Sequence, residues 1–159
     1  MSALSRAGDQ LLDDHDQALE QAGRNHPGDL VHLIQYRQAM AVVRLPADAP
    51  DPDWAKGEPL VSVSRTADET AVFCPTNCLP EPIPGPFEGP FTVTRAAGTL
   101  EFSQIGVLLK LLKPLSDAGL PVLSVSTYDT DWILVPAAQS QVATSVWRHA
   151  GHTVTEDAE

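Results

Sequence analysis

Basic residues are scarce in this chain. Ten lysines and arginines stand against 21 aspartates and glutamates, a formal charge of −11 over 159 residues. That balance excludes a generic binder of nucleic-acid backbones, which needs clustered Lys and Arg to neutralise phosphates. It also disfavours docking on anionic membranes. By itself the acidic surplus mainly supports solubility and names no partner. Cysteine is scarcer still: Cys74 and Cys78 are the only two, too few for a secreted domain stapled by disulfides. No apolar run approaches the roughly 18 residues of a membrane span. The first ten residues hold no run of signal-peptide length, and acids begin at Asp9. The expectation is a soluble cytoplasmic protein. Its 43% apolar fraction and its length fit one domain, or two small ones that share a core.

Catalytic signatures are also missing. The sequence has no nucleophile elbow, phosphate loop, dinucleotide fingerprint or zinc-protease helix. The five histidines, His15, His26, His32, His149 and His152, stand apart from any nucleophile at motif spacing. We therefore expect no enzyme, no catalytic residue and no cofactor. The C-x3-C spacing of Cys74 and Cys78 and the pair His149 and His152 do not fit a zinc site, so two small buried thiols and no metal are expected. Asp13, Asp14, His15 and Asp16 read as a solvated helix face. Trp54, Trp132 and Trp147 read as core or interface anchors.

Along the chain, residues 2–24 have a sparse helical stripe of Leu4, Leu11, Leu12 and Leu19, and the breaker Asn25, His26, Pro27, Gly28 follows. Strands are expected over 30–34 and 39–43. Pro46, Pro50 and Pro52 then forbid regular structure beyond one helical turn near 53–56. Residues 60–65 alternate with period two, 66–69 turn and 70–74 return, which reads as a hairpin. Six prolines and two glycines over 75–90 read as loop or linker, with one helical turn near Asn77. The last third reads strand 91–95; helix from an N-cap at Ser103, with Ile105, Leu108, Leu109, Leu112 and Leu115 on one face; and strand 121–127. It continues with turn 128–131, strand 132–135, a helix starting at Pro136 with Val142, Val146 and Ala150 inward, and a short strand 152–155. Pro114 should cost the first helix a hydrogen bond and kink its last turn.

That order is β-α-β-β-α-β, and the first third repeats it with its helices reduced to single turns. The expected fold class is α+β: two tandem ferredoxin-like units, with antiparallel sheets and helices on one face. The expected division is a helical extension over 1–29, a first unit over 30–80, a Pro-rich linker over 81–90 and a second unit over 91–155. The other sheet face or the edges then need cover, and a second copy is the economical one.

The strings LPADAP (45–50), SVSRT (62–66), FSQIGVL (102–108), LLKPLSDAG (111–119), LSVSTYDTD (123–131) and AGH (150–152) carry a resemblance. Residues 38–154 resemble bacterial ACT-like proteins with two tandem ACT-type halves, and are similar to the ACT domains of the arginine sensor CASTOR. The resemblance implies a small-molecule-binding regulatory module that pairs with another copy and holds an amino acid at the interface. It places the ligand between the strand–helix turn of one unit and a strand of its neighbour. The matching turn is Ser103, Gln104, Ile105, Gly106 and Val107, with Gly106 letting the ligand approach the backbone. The matching wall is Ser126, Thr127, Tyr128, Asp129, Thr130 and Asp131. By this resemblance Asp131 is the acid that faces a cationic group, while Gln104 stands where the arginine sensor has a second acid.

The residues themselves allow the same chemistry. A helix N-terminus at 104–106 offers free N–H groups to a carboxylate, and an aspartate opposite it would hold an ammonium group. Equally, Ser103 can be a mere cap, Gly106 a packing residue, and Asp129 and Asp131 turn formers. The expected partners are an amino acid, a second copy of the chain and a separate protein that receives the output, with no nucleic acid and no membrane. The competing expectation is a structural or protein-interaction module that has lost its ligand.

Overall fold

A computed structural model describes residues 30–98 and 106–158. The helix expected over 2–24, the extension 1–29, and Ser103, Gln104 and Ile105 lie outside them. The unit Val31–Glu159 contains, among its described residues, strands β1 (His32–Gln35), β2 (Met40–Leu45), β3 (Ser62–Arg65), β4 (Thr70–Pro75), β5 (Phe87–Ala96), β6 (Leu123–Ser126), β7 (Asp131–Pro136) and β8 (Thr153–Glu156). Its helices are α1 (Val107–Asp117) and α2 (Ser140–His149), with single 3-10 turns at Thr76–Cys78 and Ala137–Gln139. The architecture is α+β. No described helix is long and apolar enough to cross a membrane.

All eight strands join one mixed sheet. Its order is β3-β4-β2-β5-β1-β8, with β7 on the other edge of β5 and β6 beyond it. The ten-residue strand β5 links two regions. Its first half pairs with β2, while its second half lies between β1 and β7. The pairing therefore starts inside the segment expected to be loop, since Phe87 already pairs with Val43. The strand β1 also differs from expectation in its neighbours. It runs antiparallel to β5 and parallel to β8, and so separates the first and last strands of the C-terminal β-α-β-β-α-β run.

Alternation along the strands divides the C-terminal side chains between two faces. Leu33, Ala96, Ile133, Val135 and Val154 pack under the helices with Leu111, Leu115, Ala143 and Trp147. Val93 and Leu134 face the other way, with Met40 and Leu60. Leu115, Leu112 and Val146 turn towards the core as expected, but Leu109, Val142 and Ala150 do not. Leu111 and Leu115 are fully buried and Leu109 is exposed; Ala143 and Trp147 are fully buried and Val142 is exposed. The cause is Trp147, whose large ring decides which face of α2 turns inward. Its Nε1–H donates to the Leu111 carbonyl at 2.9 Å, which fixes α2 against α1.

Beside β2 and β4 the covering role falls to loops. Val43, Leu45, Val72 and Cys74 are covered by Trp54, Ala55, Cys78, Leu79 and Ile83. The prolines that forbid helices do not forbid apolar cover. The helical turn expected near 53–56 is one hydrogen-bonded turn, Ala55 N–H to Pro52 O at 3.0 Å.

Candidate functional site

The site expected from sequence has two parts, the β6–β7 turn and the N-terminal end of α1, and between them the structure describes the chain up to residue 98 and again from 106. Thr130 sits at the close of the β6–β7 turn, only 8% exposed. Its hydroxyl donates to the Ala96 carbonyl at 3.0 Å. The turn is further closed by the Thr127 N–H and Thr127 hydroxyl, both donating to Thr130 O. Ala96 is the last residue of β5, from which the chain runs on towards Gly106 and α1. The turn bearing Asp131 is thus bonded directly to the end of β5. Thr130 and Ala96 are 34 positions apart, so this tie has no signature in local spacing.

At the helix end, Gly106 has φ +78° and ψ 8°, the left-handed region that favours glycine. A side chain at this position would meet nothing within 4 Å among the described residues. Gly106 makes no side-chain cap bond and the first turn contains no acid. The helix therefore presents its positive end without a carboxylate of its own first turn. Val107 is partly buried against the core.

Asp131 accepts a hydrogen bond from the Ser126 hydroxyl at 2.6 Å through Oδ1. A carboxylate has two acceptor oxygens, so Oδ2 retains accepting capacity for a cation. Tyr128 is fully exposed, and Asp129 is also exposed. Of the expected wall, then, Thr130 serves the fold, Ser126 orients Asp131, and Tyr128 and Asp129 face outward.

The other candidates fall elsewhere. Cys74 is buried and Cys78 half-buried, and the Cys78 thiol donates to Pro75 O at 3.1 Å. Burial, then the hydrogen bond and charge of Cys78, push the Cys74 thiol up to about 12, so it stays protonated near neutral pH. No cluster of three or more metal-ligating side chains occurs among the described residues. A shallow groove of about 670 Å³ lies between α1 and α2, lined by Pro114, Ala118, Val142 and Val146. It sits at the opposite end of α1 from Gly106.

Residues 91–147 match a family model described as an ACT domain. A second model, describing an N-terminal domain, matches residues 38–82. No curated protein matches the chain. Among solved structures, a protein from Agobacterium tumefaciens is similar with a TM-score of 0.75 and 26% identity, over 82% of this chain and 96% of that one. A Vibrio cholerae protein of unknown function, described as a possible transport protein, gives 0.60 and 12% over 77% and 91%. The regulatory subunit of aspartate kinase from Thermus flavus gives 0.54 and 11% over 77% and 98%. The last two likenesses are likenesses of fold.

Proposed function

We propose, from the premise that the chain carries an ACT-like domain of ferredoxin-like fold, that it is a regulatory module binding a small molecule, an amino acid. The ligand carboxylate would lie at the N-terminal end of α1, where a Cβ on Gly106 would meet none of the described residues. Its ammonium group would face Asp131. The observation that carries this reading is the Thr130–Ala96 bond, which holds the acid-bearing turn against the end of β5, the strand that precedes α1 in the chain. Ser103, Gln104 and Ile105 complete the proposed wall on the helix side. Its role is regulatory and not catalytic, and its output passes to a separate protein.

Two features of the assembly belong to the same proposal. A β3-β4-β2 part and a β6-β7-β5-β1-β8 part of the sheet meet on β5, which supports two ACT-type units; β1, expected in the first unit, lies in the second, and β5 begins inside the expected 81–90 linker. Exposed Tyr128 and Asp129 leave the site open on one side, and a second copy closing it makes a homodimer.

Thermal-shift screening with the twenty amino acids, followed by calorimetry, tests the reading. At least one amino acid should raise the melting midpoint. Asp131→Asn should weaken its binding about tenfold or more, the scale of one charge-assisted hydrogen bond. Silence from all twenty would sink the amino-acid reading, and a monomer in sedimentation with ligand present would sink the dimer.

A further inference from the structure

Tyr36, Arg95 and Trp132 meet on the sheet face turned away from the helices. Arg95 and Trp132 are cross-strand partners on β5 and β7, and Tyr36 follows β1 directly. Arg95 Nε donates to the Tyr36 hydroxyl at 2.7 Å, and Nη1 donates to the Ala96 carbonyl at 3.3 Å. The guanidinium carbon lies 5.9 Å from the Trp132 ring centre. The Tyr36 and Trp132 rings are 5.7 Å apart with planes tilted by 30°. All three residues are half-buried.

This cation is held in place but not neutralised. Arg37, Arg44 and Arg65 face carboxylates at 3.2, 2.8 and 2.8 Å. Arg95 faces none among the described residues, in a chain with 21 acids. Half-burying an uncompensated charge costs free energy, and the contacts to Tyr36, Ala96 and Trp132 fix the fork in one orientation. Nη2 has no partner among the described residues. The Tyr36 hydroxyl accepts from Nε and retains its own proton to donate. The Trp132 Nε1–H, buried at the same place, has no partner among the described residues either. Phe91 and Val125 add apolar surface to the cluster.

We propose that Tyr36, Arg95 and Trp132 form a receptor for a carboxylate attached to an apolar group. A planar guanidinium whose remaining N–H groups are pre-oriented matches a carboxylate better than a point charge would. The rings beside it match the apolar body. The receptor lies on the sheet face away from the helices and adjoins the amino-acid site, since Arg95 and Thr130 both donate to the Ala96 carbonyl. The carboxylate can belong to a free acid or to an acidic side chain of another protein, and the two sources share this chemistry.

The test uses the full-length chain labelled with 15N, following the Trp132 indole signal, which Trp132→Phe identifies. Benzoate represents the free acid, benzamide its neutral counterpart, and a capped Phe-Glu dipeptide the protein-borne carboxylate. Benzoate or the dipeptide should shift the Trp132 signal saturably, and benzamide should not. Arg95→Gln should weaken the response at least tenfold. Arg95→Lys, which keeps the charge but loses the fork, should weaken it several-fold and guards against a variant that fails to fold. A response to benzoate alone assigns a free acid, and a tighter response to the dipeptide assigns a protein-borne one. Equal shifts with benzoate and benzamide, no shift with either carboxylate, or unchanged binding in both Arg95 variants would overturn the receptor.

Discussion

Gly85 and Gly106 are both glycines for backbone reasons, and the reasons differ. At Gly85 a Cβ would fall well inside contact distance of the Arg44 carbonyl oxygen. The Arg44 N–H donates to Pro86 O at 2.9 Å and holds this segment against β2, so neither side can retreat. Gly85→Ala should cost about 3 kcal/mol, the upper range of overpacking. At Gly106 none of the described residues obstructs a side chain, but φ is +78°. Gly106→Ala should therefore cost about 1 kcal/mol, the penalty of one left-handed residue. Urea denaturation of the two variants checks the order, and a larger loss at Gly106 would contradict it. Legibility at this scale depends on distance along the chain. A Pro-rich run announces a loop but not that Gly85 lies against β2 backbone. Asp131 could be singled out because the contiguous string 123–131 carries the resemblance that assigns it. Arg95 could not, because its partners stand at 36 and 132 with no spacing to mark them.

The helix α1 runs through Pro114 to Asp117. Proline has no N–H, so the Lys110 carbonyl loses its donor four residues on. The sequence predicts that loss, but not what makes it good. His152, only 6% exposed, hydrogen-bonds the Lys110 backbone. Its Nδ1 accepts from the Val31 N–H at 3.1 Å, which leaves the ring proton on Nε2 for that carbonyl. One neutral imidazole thus links α1, the start of β8 and the approach to β1. Burial lowers its pKa from the ordinary 6.5, the backbone bond to Lys110 raises it, and the Lys110 charge lowers it. The folded value is depressed, so the unfolded chain takes up this proton first as the pH falls. The contribution of His152 to stability is complete above about 6.5 and is lost as pH falls from there through the folded value. Protonation would also place an N–H against the Val31 N–H. The melting midpoint should drop between pH 7 and pH 5, and His152→Gln should flatten that drop. Parallel profiles for the two proteins would show that His152 is not responsible.

Over the whole molecule, what the sequence shows is set by near neighbours. The hairpins β3–β4 and β6–β7 are plain because period-two alternation and a short turn lie within 15 residues. The sheet that unites them is not, because its pairings are distant. His32 pairs with Thr153 across 121 positions, and a four-residue strand carries no mark of its partners. The order β8-β1-β5 has a consequence for residues 91–158, which contain the segment matching the ACT model. Within the described unit, β8 pairs with β1 alone, and Leu33 from β1 is fully buried in the helix-covered core. Removing β1 deletes that side chain, worth about 3 kcal/mol if the gap stays open. It also strips the β8 ladder of its partner. Against a typical domain stability of about 5–15 kcal/mol, the combined loss is decisive. A fragment of residues 91–158 should show no cooperative thermal transition near that of the full chain, measured by circular dichroism. Excess peptide 30–37 should restore one by refilling the slot between β5 and β8. If the fragment alone melts cooperatively within a few degrees of the full chain, β8 has closed onto β5 directly and β1 is dispensable to the fold.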